Sequence, residues 1–284
     1  MGGRRANRGY GGERPSIERL AMDLELSKRS AVVLASSGGL GRAVAEALLA
    51  EGARVALSGR DEARLAATVR ELAQEHGDRV FGEAFDIADR GALARHLESA
   101  RAHNGAVDVL VTNCGGPPPG GSLAVTHEGL DRAFDLITHS AVHAVQTVLP
   151  WMRARGWGRI LALTSLTVRH PHPGLAYSNI ARAGLTAYLK TLADEVGGDG
   201  VLVNTVCTGM FGTERLDELF ATRAAAAGTS VDEERAKAVA SIPVGRVGTP
   251  REFGDLCAFL VSGRNTFVHG TNLPIDGGAG RFLL

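Results

Sequence analysis

From Ser30 to the C-terminus, short apolar runs alternate with longer stretches whose apolar residues recur at helical spacing. The first run, residues 31–35 (AVVLA), shows no polar alternation, as in a strand covered on both faces of a parallel sheet. Runs at 53–58, 79–85, 107–112, 158–165, 201–207 and 271–276 predict six more strands. Between the first two lies a glycine-rich turn, and then Leu40, Val44, Ala47 and Leu48 at helical spacing. Asp61 caps a predicted helix to about Glu75, and Asp89 opens another to about Ala102. A long helical stretch covers 126–155, with Pro150 predicted to kink it near its end, and a further helix runs from about Pro173 to Val196. Strand and helix in alternation predict right-handed crossovers. With no break in composition after residue 30, the reading is α/β: one doubly wound, parallel, seven-stranded sheet in a single domain over 23–284.

Two segments depart from that rhythm. Residues 1–22 are rich in Gly and Arg with little to bury, which predicts a disordered tail. Sequence upstream of a start at Met22, or a nucleic-acid-binding arm, are the other readings. Residues 212 to about 240 form an Ala-rich, charged helical insert leaving the end of the sixth strand. Ligands of such sheets bind outside the carboxyl ends of the strands, so the insert is either a lid over that crevice or a solvated decoration.

Composition narrows the function classes. The 284 residues are 44% hydrophobic and 22% charged, enough to bury a sizeable core. Zero net charge gives no whole-chain case for nucleic acid or an anionic membrane as partner. Cys114, Cys207 and Cys257 are far apart and odd in number, which suits reduced thiols in the cytoplasm. No apolar run approaches the ~20 residues that cross a bilayer, and the basic N-terminus lacks the apolar stretch of a secretory signal.

A strand, a tight glycine turn and a helix N-terminus together cradle a pyrophosphate, because glycine admits close backbone approach and the first-turn N–H groups face the anion. Gly38, Gly39 and Gly41 are not spaced as G-x-G-x-x-G. They resemble the tail of T-G-x-x-x-G-x-G, the glycine motif of the short-chain dehydrogenase/reductase family, with Leu34 and Ala35 where Thr and the first Gly are usual. The resemblance covers most of 27–280. Asp86-Ile87 resembles the family's adenine-contacting Asp-Val, and Thr112-Asn113-Cys114-Gly115 resembles Asn-Asn-Ala-Gly. Residues 204–213 (NTVCTGMFGT) resemble N-x-x-x-P-G-x-x-x-T with Thr208 for Pro, and 244–248 and 275–278 match the C-terminal segments. The resemblance implies a Rossmann-type fold close to the 3-oxoacyl-carrier-protein reductase-like branch. It also implies a cofactor site from Ser36, Ser37, Gly39, Leu40, Gly41, Arg60, Asp86, Ile87, Asn113, Gly115, Arg182, Gly209 and Thr213, and no metal.

The family's catalytic set is a Ser, a Tyr thirteen residues on, a Lys four after the Tyr, and an Asn in the long helix. The cation pulls the phenol's pKa towards working pH. Here Ser165 matches, but Ser178 stands at the Tyr position, Arg182 at the Lys position and Ile137 at the Asn position. Tyr177 is one residue early, with Ala181 four after it, and one helical residue turns a side chain by roughly 100°. Two readings stand. In one, a shifted helix start turns Tyr177 towards the nicotinamide as proton donor beside Ser178, with Arg182 as its cationic partner. In the other, another group acts, or the crevice serves dinucleotide binding without reduction, or a lyase or isomerase. His170 and His172 are candidate acids or exposed loop rings, and His139 and His143 share one helix face, for packing rather than metal.

The resemblance implies an acidic residue at the end of the second strand in NAD-preferring members. Here the stretch is Ser58-Gly59-Arg60, and Arg60 suits a 2′-phosphate through charge-assisted hydrogen bonds, or else pairs with Asp61 or Glu62. The expectation is an oxidoreductase that prefers NADP(H) to NAD(H) and interconverts a small-molecule carbonyl and an alcohol. Small and apolar residues beyond what one sheet face needs (Ala141, Ala144, Val145, Val148, Ala183, Ala187) point, with the family, to a homotetramer.

Overall fold

A computed structural model describes residues 22–283. The predicted tail lies outside the described residues except for Met22. The strands are β1 (Ser30–Val33), β2 (Arg54–Gly59), β3 (Val80–Ala84), β4 (Val109–Thr112), β5 (Gly158–Ser165), β6 (Val201–Thr208) and β7 (Asn272–Ile275). They form one parallel sheet in the order β3-β2-β1-β4-β5-β6-β7. Strand order reverses between β1 and β4, which places a crevice at their carboxyl ends.

The unalternating apolar runs follow from cover on both faces. Val32 and Leu110 point into a core shared with α3 (Arg90–Asn104), α5 (Ser140–Ala154) and α6 (Ala176–Val196). Their neighbours Ala31, Val33, Val109 and Val111 point the other way, into a core with α1 (Gly39–Ala50), α2 (Glu62–His76) and α9 (Pro250–Leu260). Asp61 and Asp89 cap α2 and α3 as their sequence positions predict. The α9 helix has no counterpart in the periodicity reading. Its signal is at its start, where Thr249 and Glu252 form a capping box around Pro250.

Three elements differ from expectation. The first strand ends at Val33 because Ala35 turns left-handed, with φ 48°. The 126–155 stretch is α4 (His127–Phe134), a π-helical segment at Asp135–His139, and α5; Pro150 lies within α5, and the irregularity falls a dozen residues earlier. The α6 helix starts at Ala176 rather than near Pro173, because the residues before it pair with another loop: Gly120 N–H donates to Gly174 O, and Ala176 N–H to Gly120 O. The 212–240 insert is two helices, α7 (Glu214–Ala227) and α8 (Val231–Ala240), broken at left-handed Gly228.

Of the six residues expected at a subunit interface, Ala141, Ala144, Val145 and Val148 are buried in this chain's own core, since both faces of the sheet need cover. Ala183 and Ala187 remain on the surface. Among the described residues no helix is long and apolar enough to cross a membrane.

Candidate active site

The glycine turn is held from three sides. Ser36 is fully buried, and its hydroxyl donates to Val33 O at 2.6 Å while accepting from Ser58 N–H. Ser58 Oγ accepts from Ala35 N–H, and Asn113 Nδ2 donates to Ala35 O at 3.0 Å. Ser36 and Asn113, expected as cofactor ligands, therefore also shape the turn. Gly41 packs so closely that a Cβ there would lie 2.6 Å from Ala35 O. Gly209 likewise seats the end of β6 against Asp276 rather than opening into the crevice. At the mouth, Thr213 Cγ2 faces Gly39, Gly115 borders open space, Leu40 is part-exposed, Asp86 is exposed and Ile87 is buried.

These residues fit a dinucleotide. The cap of α1 is Gly38, which offers no side-chain hydrogen bond, and the first turn holds no acidic residue. Its N–H groups are thus left without side-chain acceptors at a site suited to an anion. Arg60 makes no hydrogen bond or ion pair among the described residues, and Asp61 is occupied in capping α2. Gly59 abuts Ser37: a Cβ at 59 would lie 2.8 Å from Ser37 Oγ, so a carboxylate-bearing side chain has no room there.

The structure joins Ser178 to Arg182 and turns Tyr177 away. Arg182 is only 9% exposed; its Nε donates to Ser178 Oγ at 3.2 Å and its Nη1 to Leu163 O at 3.1 Å, and Nη2 lies 4.0 Å from Cys114 Sγ. All three partners are neutral. Arg182 thus ties the start of α6 to β5, whose last residue is Ser165, with its hydroxyl accepting from Thr167 N–H at 3.3 Å. Burial pushes the Cys114 thiol up against the opposing pull of the guanidinium. The Tyr177 hydroxyl instead accepts from Thr126 N–H at 3.1 Å and donates to Ala124 O at 3.3 Å. The reading that pairs Tyr177 with Arg182 is corrected by helix geometry: α6 begins in a register that puts Ser178 Oγ on Arg182 Nε, and its predecessor Tyr177 reaches the cap of α4 instead.

Ile137 is 1% exposed and, with Leu34, Ile87, Leu163 and Leu185, walls a cavity of about 10 Å³ beneath the crevice. Thr112, at the end of β4, lines the same cavity with a buried hydroxyl that has no partner. The His170 ring is exposed without a hydrogen-bond partner, His172 bonds Pro173 O, and His139 pairs with Asp135 at 2.9 Å. Among the described residues, no three His, Cys, Asp or Glu side chains converge as a metal site. Arg64 and Glu214, which form a 2.7 Å ion pair at the glycine turn, escaped the sequence reading. Their signal was positional: Arg64 is three residues past the Asp61 cap, and Glu214 follows the expected ligand Thr213.

Residues 34–280 match the family model described as enoyl-(acyl carrier protein) reductase. The 3-oxoacyl-[acyl-carrier-protein] reductase of Escherichia coli (strain K12) is 30% identical over 248 residues, covering 87% of this chain and 96% of that protein. L-sorbose reductase from Gluconobacter frateurii, complexed with NADPH and L-sorbose, superposes with TM-score 0.87 at 30% identity, over 92% of this chain and 100% of that one. An NADPH-bound short chain oxidoreductase from Pseudomonas aeruginosa PAO1 containing an atypical catalytic center aligns with TM-score 0.82 at 29% identity, over 91% and 99%. A parallel sheet with its glycine turn at the switch point and matches along nearly the whole described chain lead to one conclusion: the protein belongs to the short-chain dehydrogenase/reductase family and is an NAD(P)(H)-dependent dehydrogenase/reductase.

Proposed function

We propose that the protein is an NADP(H)-dependent oxidoreductase interconverting a small-molecule carbonyl and an alcohol, working through Ser165, Ser178 and Arg182 rather than Tyr177. The observation that carries this reading is Arg182, a buried cation at the crevice whose partners are all neutral. Burying an uncompensated charge is expensive, and the cost is offset where negative charge develops next to it.

Reduced nicotinamide, when bound, supplies a hydride to the carbonyl carbon. Negative charge then develops on the carbonyl oxygen, and on this reading the Ser165 and Ser178 hydroxyls donate to it. Arg182 Nε, bonded to Ser178 Oγ, favours that serine giving up its proton and holds its rotamer. The guanidinium acts as a fixed positive field beside that oxygen. Arg182 Nη2 retains donor capacity for a ribose hydroxyl. The NADPH-bound Pseudomonas relative is likewise described as containing an atypical catalytic center, on the same fold.

Preference for the phosphorylated cofactor rests on Arg60, unpaired at the end of β2, and on the lack of room for an acid at Gly59. We also read a homotetramer in the reducing cytoplasm. Ile180, Ala183 and Ala187 leave one side of α6 exposed for a helix pair, and the three cysteines are free. Light scattering that gave a monomer at micromolar concentration would remove the tetramer.

The deciding experiment is single-turnover NADPH oxidation with a panel of ketones and 3-oxoacyl thioesters. Ser178→Ala and Arg182→Gln should each lose ~10²- to 10³-fold in rate. Turnover that survives both variants but dies on changing His170 or His172 would move the proton donor to the loop. Dinucleotide binding with no turnover on any substrate would favour a cofactor-binding protein without reductase activity.

A further inference from the structure

The α7 helix is fastened to the glycine turn by one side chain. Arg64, on the first turn of α2, donates from Nε to Ser37 O at 3.2 Å and pairs through Nη2 with Glu214 Oε2 at 2.7 Å. Its guanidinium packs close against Gly38: a Cβ there would stand 2.9 Å from Arg64 Cζ. Glu214 is the first residue of α7, and its neighbour Thr213 makes no side-chain cap but rests over Gly39. One ion pair thus joins α2, the turn and the insert across the N-terminus of α1, where first-turn N–H groups lack side-chain acceptors.

That placement sets up a competition. Glu214 brings a carboxylate to a place suited to phosphate, and Arg64 is a cation held on the turn's own backbone at Ser37 O. Both side chains are exposed, so the pair is weak enough for a dianionic phosphate to displace.

We propose that Arg64 and Glu214 form a latch that closes α7 over the glycine turn in the cofactor-free enzyme, and that a phosphate of the dinucleotide takes Arg64 from Glu214 on binding. The proposal rests on the dinucleotide reading of the turn. It makes Arg64 a phosphate ligand in waiting and Glu214 its competitor.

The test combines amide hydrogen exchange over residues 213–220 with stopped-flow binding followed by NADPH fluorescence. Glu214→Gln should speed exchange in the cofactor-free protein and bind NADPH about two- to fivefold faster and tighter. Arg64→Gln should speed the same exchange but weaken NADPH binding about tenfold. Equal effects with NADH assign Arg64 to the pyrophosphate, and an effect confined to NADPH assigns it to the 2′-phosphate. Altered affinity with unchanged exchange would mean simple charge repulsion, and unchanged exchange and affinity a bystander pair; either overturns the latch. Failure of the wild-type protein to bind NADPH or NADH would sink the dinucleotide reading and the competition with it, whereas the exchange measured without cofactor would still accept or reject the closure.

Discussion

The hydroxyl of Tyr177 takes the backbone N–H of Thr126 at 3.1 Å, so the phenol sits at the cap of α4 instead of beside Arg182. Its ring also lies on Gly129, where a Cβ would come within 2.6 Å of Tyr177 Cζ. Hydrogen bonds from the Thr126 side chain and backbone hold the phenol below its ordinary pKa, a shift that needs no catalytic role. Tyr177→Phe should therefore behave as a structural change. We expect a small loss of stability in denaturant unfolding, with single-turnover NADPH oxidation within about threefold of wild type. A rate loss of ~10²-fold or more, the worth of a positioned general acid, would restore Tyr177 to the chemistry.

Strain at the glycine turn is open to a direct test. Ala35 stands where the family's motif has its first glycine, and it adopts φ 48°, the conformation glycine takes freely. An L-residue there costs roughly 1–2 kcal/mol, and glycine returns up to ~1 kcal/mol of that through its looser unfolded state. Ala35→Gly should stabilise the protein by about 0.5–1 kcal/mol, read in urea unfolding curves. Destabilisation would mean that the Ala35 methyl packs better than the turn geometry implies.

The fold was legible because its signals are local and repeated. Unbroken apolar runs such as Ala31–Leu34 occur only where both sheet faces are covered, and Asp61 and Asp89 mark helix starts by chemistry that needs no tertiary partner. The α9 helix escaped a reading of periodicity because its clearest mark is the Thr249–Glu252 box, not its apolar stripe. At the site, residue types were legible but their directions were not. Whether Tyr177 or Ser178 faces the crevice depends on where α6 begins, and Gly120 fixes that by pairing with Gly174 and Ala176 across some fifty residues. The Arg64–Glu214 pair spans 150 positions and leaves no mark in either local pattern.

Acid should weaken the protein in two separate windows. His96 is 1% exposed; its Nδ1 lies 2.9 Å from Glu83, and its Nε2 is buried without a partner. Burial pushes its pKa down against the pull of Glu83, so the folded state resists a proton that the unfolded state takes up below about pH 6.5. Stability should therefore fall as pH drops through the range just below 6.5, and His96→Leu should flatten that part of the curve even if it lowers the whole. Glu252, held at about 2 by Arg246 and Thr249, acts in the lower window: its contribution is present above the ordinary carboxylate range and is lost as pH falls from about 4.5 towards 2. Unfolding midpoints from pH 8 to 2 would show both. A His96→Leu curve parallel to wild type between pH 7 and 5.5 would clear His96.

Cofactor choice turns on the end of β2. Gly59 pairs with Ala84 in β3, and any Cβ it carried would press on Ser37. The next residue, Arg60, is exposed with its guanidinium unpaired, because the nearby Asp61 carboxylate caps α2 through Arg64 N–H. A cation free of local partners at this edge is available to a 2′-phosphate at little cost in broken contacts, and charge-assisted hydrogen bonds of this kind contribute about 1.5–3 kcal/mol. Wild-type protein should therefore bind NADPH at least about tenfold more tightly than NADH in calorimetry. Arg60→Ala should lose most of that difference by weakening NADPH alone. Because Arg60 braces nothing, the same variant should keep the wild-type unfolding midpoint. Gly59→Asp, by contrast, should lose stability through its clash with Ser37 before it gains any hold on a ribose. Equal affinities in the wild type, or an Arg60→Ala variant that weakens NADH as much as NADPH, would show that the preference does not come from this residue.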